Sequence, residues 1–409
     1  MLIFYSLFYC MFYCTRLNLA NAGSEMMASL GFSTADIGIL TATLFWAYAI
    51  GMLVGGRISE IVGYHRFIMI SAFATVLMNV LFGFLSSLPL MILVWAVNGL
   101  AQSMNWPAGC TLLSNWWPGK TRGFAVGFAS AFSGFGQAVA MLVVAMSFLL
   151  FPGLSWRSAF FIPAAFPLLF YLIFRVFTKS SPEKIGLRAY KEEDPEAAAN
   201  ERALQEIVAG KNRFFPYKLM LSNGEFVRII VMHTFVGITR YGLLTWVPMY
   251  FTERFGVNIM ESLLASLALP VGMGFGSLIL PAITDRMKNR MAVVPWTALG
   301  AALSVIGFLF LDPRTTAGLI LIETLLFIAG FFIYAIAGVL NVVACDYGGR
   351  VLSGTANGIF GFTGYLGAGI QSVIYGAIVA HTGWNMVFIS IAAFSGIIAF
   401  LSVLKRKSA

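Results

Sequence analysis

The sequence predicts an all-α integral membrane protein: twelve transmembrane helices in two six-helix bundles related by a pseudo-two-fold axis. Three observations predict it. The 409 residues are 59% hydrophobic and only 11% charged, against roughly 25% charged in soluble domains, and mean hydropathy is +0.85. Apolar stretches near the ~20 residues that a spanning helix needs recur along the whole chain. Finally, charged landmarks of the first half reappear in the second at a nearly constant offset.

The expected spans lie near 2–22, 36–56, 67–87, 89–112, 123–150, 156–177, 226–251, 260–283, 291–311, 315–344, 354–380 and 384–403. Their lengths, and the lack of period-2 alternation, argue for helices over a transmembrane barrel. An N-terminal bundle is expected over 1–177 and a C-terminal bundle over 226–409. Between them, 178–225 is the long polar segment and reads as a cytoplasmic linker with a short surface helix near 197–209.

Basic residues set the orientation. With the linker cytoplasmic, the same side holds Arg57, Arg66, Lys120, Arg122, Arg286, Lys288, Arg290, Arg350, Lys405, Arg406 and Lys407. The opposite side holds Arg157, Arg254 and Arg314. Both termini are thus expected in the cytoplasm, with the protein in the inner (cytoplasmic) membrane. The net charge of +9 is accounted for by anchoring at the lipid bilayer and implies no nucleic-acid partner. Met1 leads directly into the first span, so no removable signal peptide is expected. Cys10, Cys14, Cys110 and Cys345 lie in or beside apolar spans without histidine or carboxylate companions, and read as small buried hydrophobes. No metal site or cofactor is expected, and the protein is expected to act as a monomer.

The internal echo is specific. Glu60, in "GGRISEIVGYHR", and Asp285, in "PAITDRMKNR", each follow a span and precede bases. They differ by 225 positions (285 − 60), while Arg16 and Arg240 differ by 224 (240 − 16). A looser pair is "PGKTRG" and "GGRVLSG". Arg57, Glu60, Arg66, Asp285, Arg286, Asp346 and Arg350 form a candidate gating and loop motif at the cytoplasmic ends. Two halves sharing one offset indicate a transporter built from repeats.

Depth sorts the remaining charges. Arg16, Arg240, His233 and Glu323 fall well inside spans. A charge there costs about 2.5–3.5 kcal/mol on insertion scales, so it faces a cavity or a partner. Glu25, Asp36, Asp346 and Glu323 are the available carboxylates, and none is expected at the depth of the two arginines. Two permanent cations at one level suit a phosphate, phosphonate, sulfonate or carboxylate. Tyr9 and Tyr13 precede Arg16 by seven and three residues, hence share its face. Tyr334, Tyr365 and Trp106 join the candidate lining, and His233 is either lining or a helix-packing histidine. Ser130, Ser133, Gly134 and Gly136, with Gly354, Gly358, Gly361 and Gly364, read as small-residue faces for close helix approach.

These residues resemble the major facilitator superfamily, and within it the organophosphate:phosphate antiporters that carry glycerol phosphate or hexose phosphate. "NWPAGCTLLSNWWPGKTRG" is similar to that family's fourth-span exit, "RYGLLTWVPMYF" to its seventh span, and "SPEKIGL" to the start of its central loop. "GTANGIFGFTGYLGAG" is similar to its eleventh span. The resemblance implies that Arg16 and Arg240 bind substrate, with Tyr9, Tyr13, Tyr334 and Tyr365 around them. Departures are Met52 for a lysine, Ser133 for a site histidine, and Thr245 and Ala268 for acidic residues. The anion clamp is kept while its titratable surroundings are not, which leaves the particular anion open. Exchange of a small organic anion for phosphate or another anion, by rocker-switch alternating access, is the expected activity. Proton-coupled symport of a sugar acid, other carboxylate or sulfonate, and a transporter-like sensor of external sugar phosphate, are the alternatives. No catalytic residues are expected and no enzyme is predicted.

Overall fold

The computed structural model describes residues 1–62, 64–117, 119–179, 182–187, 206–207, 211, 215–284, 287, 289–348 and 352–404. Side chains at 54, 56–62, 64, 110, 111, 114, 115, 119–123, 126, 282, 345, 346, 348, 353 and 354 are excepted. The expected linker helix near 197–209 falls outside the described residues, apart from 206–207.

The described secondary structure is helical throughout. In chain order the α-helices are α1 Leu2–Phe12, α2 Asn18–Asn21, α3 Gly23–Leu30, α4 Thr34–Val62, α5 Tyr64–Phe84, α6 Leu88–Ser103, α7 Asn105–Trp116, α8 Gly119–Leu150 and α9 Ser158–Phe177. The second half continues with α10 Phe215–Ser222, α11 Gly224–Phe255, α12 Ile259–Ser266, α13 Ala268–Thr284, α14 Val294–Phe308, α15 Thr316–Gly348, α16 Ser353–Thr382 and α17 Trp384–Val403. Among the described residues, ten helical segments are long and apolar enough to cross a membrane.

The other two expected spans, 2–22 and 89–112, are broken rather than continuous, which corrects the sequence reading of each as one helix. The fourth divides at Met104 into α6 and α7. Pro107, third in α7, has no N–H to give the carbonyl of Ser103. The eighth divides likewise at Leu267, and Pro270 in the first turn of α13 explains it. The first span contains neither proline nor glycine at its break. It passes from α1 through a 3-10 turn at Tyr13–Thr15 to α2, so its cause lies in side chains from elsewhere.

That cause is a buried amide cluster. The Thr15 carbonyl, freed by the break, accepts from Gln102 Nε2 at 2.8 Å, and from Asn79 and Asn98 Nδ2 at 3.3 Å each. Asn18 Nδ2 donates to Asn79 Oδ1 at 2.8 Å and to the Ala159 carbonyl at 3.0 Å. With no water available at such a position, an unmet carbonyl costs several kcal/mol, and these amides remove that penalty.

Within each half, neighbouring helices close on themselves: α4 and α5 on α6, and α1 on α8 and α9, then α11 on α16 and α17, and α13 and α14 on α15. Two seams join the halves, α4 along α16 and α8 along α13. At the second seam a Cβ on Gly134 would lie 2.6 Å from backbone atoms of Gly274. Gly134→Val is therefore expected to force the seam apart and lower Tm by several degrees. A thermal melt would check it. Near Ser24 the halves also meet directly, with Ser24 Oγ 2.7 Å from Thr252 Oγ1.

Candidate functional site

Arg16 sits at the break in the first span, where it ends the 3-10 turn with φ −109° and ψ −45°. It is 2% exposed. All three of its guanidinium nitrogens are engaged. Nε donates to Gln102 Oε1 at 2.8 Å, one terminal nitrogen to Tyr365 Oη at 3.0 Å, and the other to Tyr48 Oη at 3.3 Å. The guanidinium carbon also lies 4.5 Å from the Tyr13 ring centre and 4.6 Å from that of Tyr48. Gln102 thus holds the arginine with one end of its amide and the broken helix with the other.

Arg240 extends from the middle of α11 and is half-buried. Its guanidinium carbon lies 4.3 Å from the Tyr334 ring centre and 4.6 Å from that of Tyr241. One terminal nitrogen donates to Gln137 Oε1 at 3.3 Å, across the boundary between halves. Its Nε has no hydrogen-bond partner among the described residues. Ring faces of this kind contribute about 2 kcal/mol each to a desolvated cation, without neutralising it.

The two arginines share surroundings. Tyr13 and Tyr365 each lie within electrostatic range of both guanidiniums. The rings of Tyr48 and Tyr365 are 4.0 Å apart, Tyr241 and Tyr365 5.8 Å, and Phe45 packs 4.5 Å from Tyr241. Among the described residues neither Arg16 nor Arg240 forms an ion pair; the pairs found are Arg228–Glu225 and Arg314–Asp312, both elsewhere. Glu323 is half-buried in α15 and also unpaired there. The arrangement is an aromatic-rich cluster in which two fixed cations are held by neutral acceptors.

The other expected lining residues divide by surroundings. Tyr9 is buried, its ring 5.7 Å from Tyr13 and 5.0 Å from Trp106, so Trp106 stands behind it. Ser133 and Tyr334 join their hydroxyls across the halves. His233 stacks on Phe360 at 3.5 Å, its Nδ1 2.8 Å from the Phe360 carbonyl. A Cβ on Gly364 would meet the same ring at 2.4 Å. The structure therefore places His233 in the α11–α16 packing. Met52 is buried against Gly361 on α16. Of the gating motif, Arg66 is exposed. The side chains of Arg57, Glu60, Asp285, Arg286, Asp346 and Arg350 lie outside the described residues.

Sequence reasoning missed Gln102, Gln137, Tyr48 and Tyr241. The signal available was polarity rather than charge, since Gln102 and Gln137 sit inside apolar spans, and Tyr241 adjoins Arg240. Gln102→Leu is expected to lower Tm by several degrees, because Arg16 Nε and the Thr15 carbonyl each lose a partner. A thermal melt would check it.

Residues 2–372 match the family model described as Major Facilitator Superfamily. The chain is 28% identical to the "Probable hexose phosphate transport protein" of Chlamydia trachomatis serovar D, over 96% of this chain and 88% of that one. It is 26% identical to the "Glycerol-3-phosphate transporter" of Bacillus subtilis strain 168, over 88% of this chain and 81% of that one. The crystal structure of a bacterial homolog of the human lysosomal transporter Spinster, inward-facing and unoccupied, superposes with a TM-score of 0.73 at 17% identity. It covers 98% of this chain and 95% of that one, and shows a shared fold. The chain thus belongs to the Major Facilitator Superfamily, as a multi-pass membrane transporter and not an enzyme.

Proposed function

We propose that the protein carries a small organic anion, an organophosphate or a close analogue, and exchanges it for inorganic phosphate or another anion. It does so by rocker-switch alternating access, from the inner membrane, with both termini cytoplasmic and the halves bounded near 1–177 and 226–409. One observation supports this reading above the others: two guanidiniums, one from each half, share Tyr13 and Tyr365 and have no carboxylate partner among the described residues. A buried charge held only by neutral groups retains its demand for a counter-charge. A dianion meets it for both arginines at once and links the halves as it does so. The likeness to a hexose phosphate and a glycerol phosphate transporter supports the same substrate class.

Two measurements test it. Phosphate and organophosphates should raise the Tm of purified protein in a concentration-dependent way, since only a ligand of the folded state stabilises by mass action. Proteoliposomes preloaded with phosphate should then take up labelled organophosphate faster than phosphate-free ones. Binding without flux would point instead to a sensor, and absence of binding would remove the anion reading.

A further inference from the structure

At the end of α9, three bases gather beside the first turn of α5. His65, in that turn, stacks on Phe174 of α9 with ring centres 5.4 Å apart. The same imidazole lies within electrostatic range of Arg175, Lys179 and Lys184. All three bases are exposed. Glu183 is the carboxylate of the same segment and is itself engaged, so three bases against one acid leave a net charge of +2 (3 − 1).

The backbone that presents these bases is pinned. Thr178 is extended, ends α9 and gives its hydroxyl to the Phe174 carbonyl at 2.6 Å. The Lys179 carbonyl accepts from Trp116 Nε1 at 2.9 Å, so the last residue of α7 fixes the chain as it departs. Pro182 is buried, and the turn after it closes on itself. Gly186 N–H donates to the Glu183 carbonyl at 3.1 Å, and Leu187 N–H to that of Pro182 at 3.2 Å. Gly186 takes φ +80°, a left-handed position that suits glycine. Long side chains on a fixed backbone lose less freedom on gripping a ligand than those on a loose loop.

Oil begins directly below. Neither 67–84 on α5 nor 158–174 on α9 contains a charged residue. Met69 and Phe73 stand one turn apart on α5, Leu172 and Val176 one turn apart on α9, and all four are exposed. Phe73 packs on Tyr171 with ring centres 6.1 Å apart, which joins the two helices at this level. In the turn itself Ile185 and Leu187 are 51% and 57% exposed. Apolar side chains left open beside bases belong at the boundary of acyl chains and headgroups, where a tryptophan such as Trp116 also settles.

We propose that Arg175, Lys179 and Lys184 form a binding site for the headgroup of an anionic glycerophospholipid, whose acyl chains lie along the α5–α9 face. Guanidinium and ammonium groups suit a phosphodiester, and a clustered positive charge beside a span attracts anionic lipid. A free phosphate would satisfy the bases and leave the apolar rows unused, which favours the lipid. The site does not rest on the anion reading above.

The test counts the lipids that the purified full chain retains in native mass spectra, from micelles with equal phosphatidylglycerol and phosphatidylcholine of one chain length. Wild type should retain phosphatidylglycerol about tenfold more often or better. Lys184→Gln, in an exposed turn, should lower that preference about fivefold, the equivalent of the ~1 kcal/mol a base gains near an anionic surface. Glutamine at all three positions should bring the preference near one; should that variant fail to fold, Lys184→Gln alone decides. Lys218→Gln removes an exposed base of α10, whose Tyr217 bonds the Leu53 carbonyl of α4 at the same membrane face, and should change nothing. Equal retention of the two lipids by wild type would overturn the site. An equal fall in the Lys218 variant would also overturn it, by showing diffuse surface charge. Displacement of phosphatidylglycerol by millimolar inorganic phosphate would overturn the lipid as its occupant.

Discussion

Arg16→Lys and Arg240→Lys are each expected to reduce transport about a hundredfold or more, with membrane insertion and expression kept. Lysine preserves the charge but not the shape. Arg16 distributes three nitrogens among Gln102, Tyr365 and Tyr48, and its planar cation lies over two rings. An ammonium is a compact point charge that cannot present a paired fork to an oxyanion or spread over an aromatic face. Losing two charge-assisted hydrogen bonds, at about 1.5–3 kcal/mol each, accounts for a factor of that size. Initial uptake rates in proteoliposomes, with the amount of inserted protein quantified, would measure it. Wild-type-like rates in either variant would remove that arginine from the site.

Gln102→Glu is the second large effect, and it discriminates between a clamp and a structural arginine. The amide oxygen of Gln102 already lies 2.8 Å from Arg16 Nε. A carboxylate there would pair with the guanidinium internally and occupy the charge meant for the cargo. Anion affinity should fall about a hundredfold, because binding must first break a buried ion pair. The Tm without ligand should hold or rise, although Thr15 loses one amide donor, because Asn79 and Asn98 still reach its carbonyl. Unchanged phosphate protection in this variant would show that Arg16 is not where the anion binds. Gln102→Leu, by contrast, should lower the Tm, so the pair of variants separates charge from packing.

The membrane architecture was legible because it rests on composition and span length, which neighbours do not alter. Arg16 and Arg240 were legible for a related reason: an unpaired guanidinium in an apolar stretch has no structural explanation within its own helix. Tyr13, Tyr334 and Tyr365 could be placed from helical spacing and from the family resemblance, and each lies at a guanidinium. What escaped was whatever depended on several helices at once. The break after Phe12 has no local signal, because its cause is Asn79, Asn98 and Gln102 on α5 and α6. Gln137 and Tyr48 escaped because their importance comes from facing an arginine distant in sequence. His233 shows the converse: it lies well inside its span, nearer the cytoplasm than Arg240, and could be read as lining or as packing, and its ring stacks on Phe360 with Nδ1 at that residue's carbonyl.

The division of the first span has a consequence of its own. A rod cut between residues 13 and 18 keeps its loose end satisfied with redundancy to spare. Asn79, Asn98 and Gln102 converge on one oxygen that has two lone pairs, so losing any one donor still leaves that carbonyl bound. Asn18, on the far side of the cut, is tied to Asn79 and to the Ala159 carbonyl, so the two pieces are moored to the same neighbours.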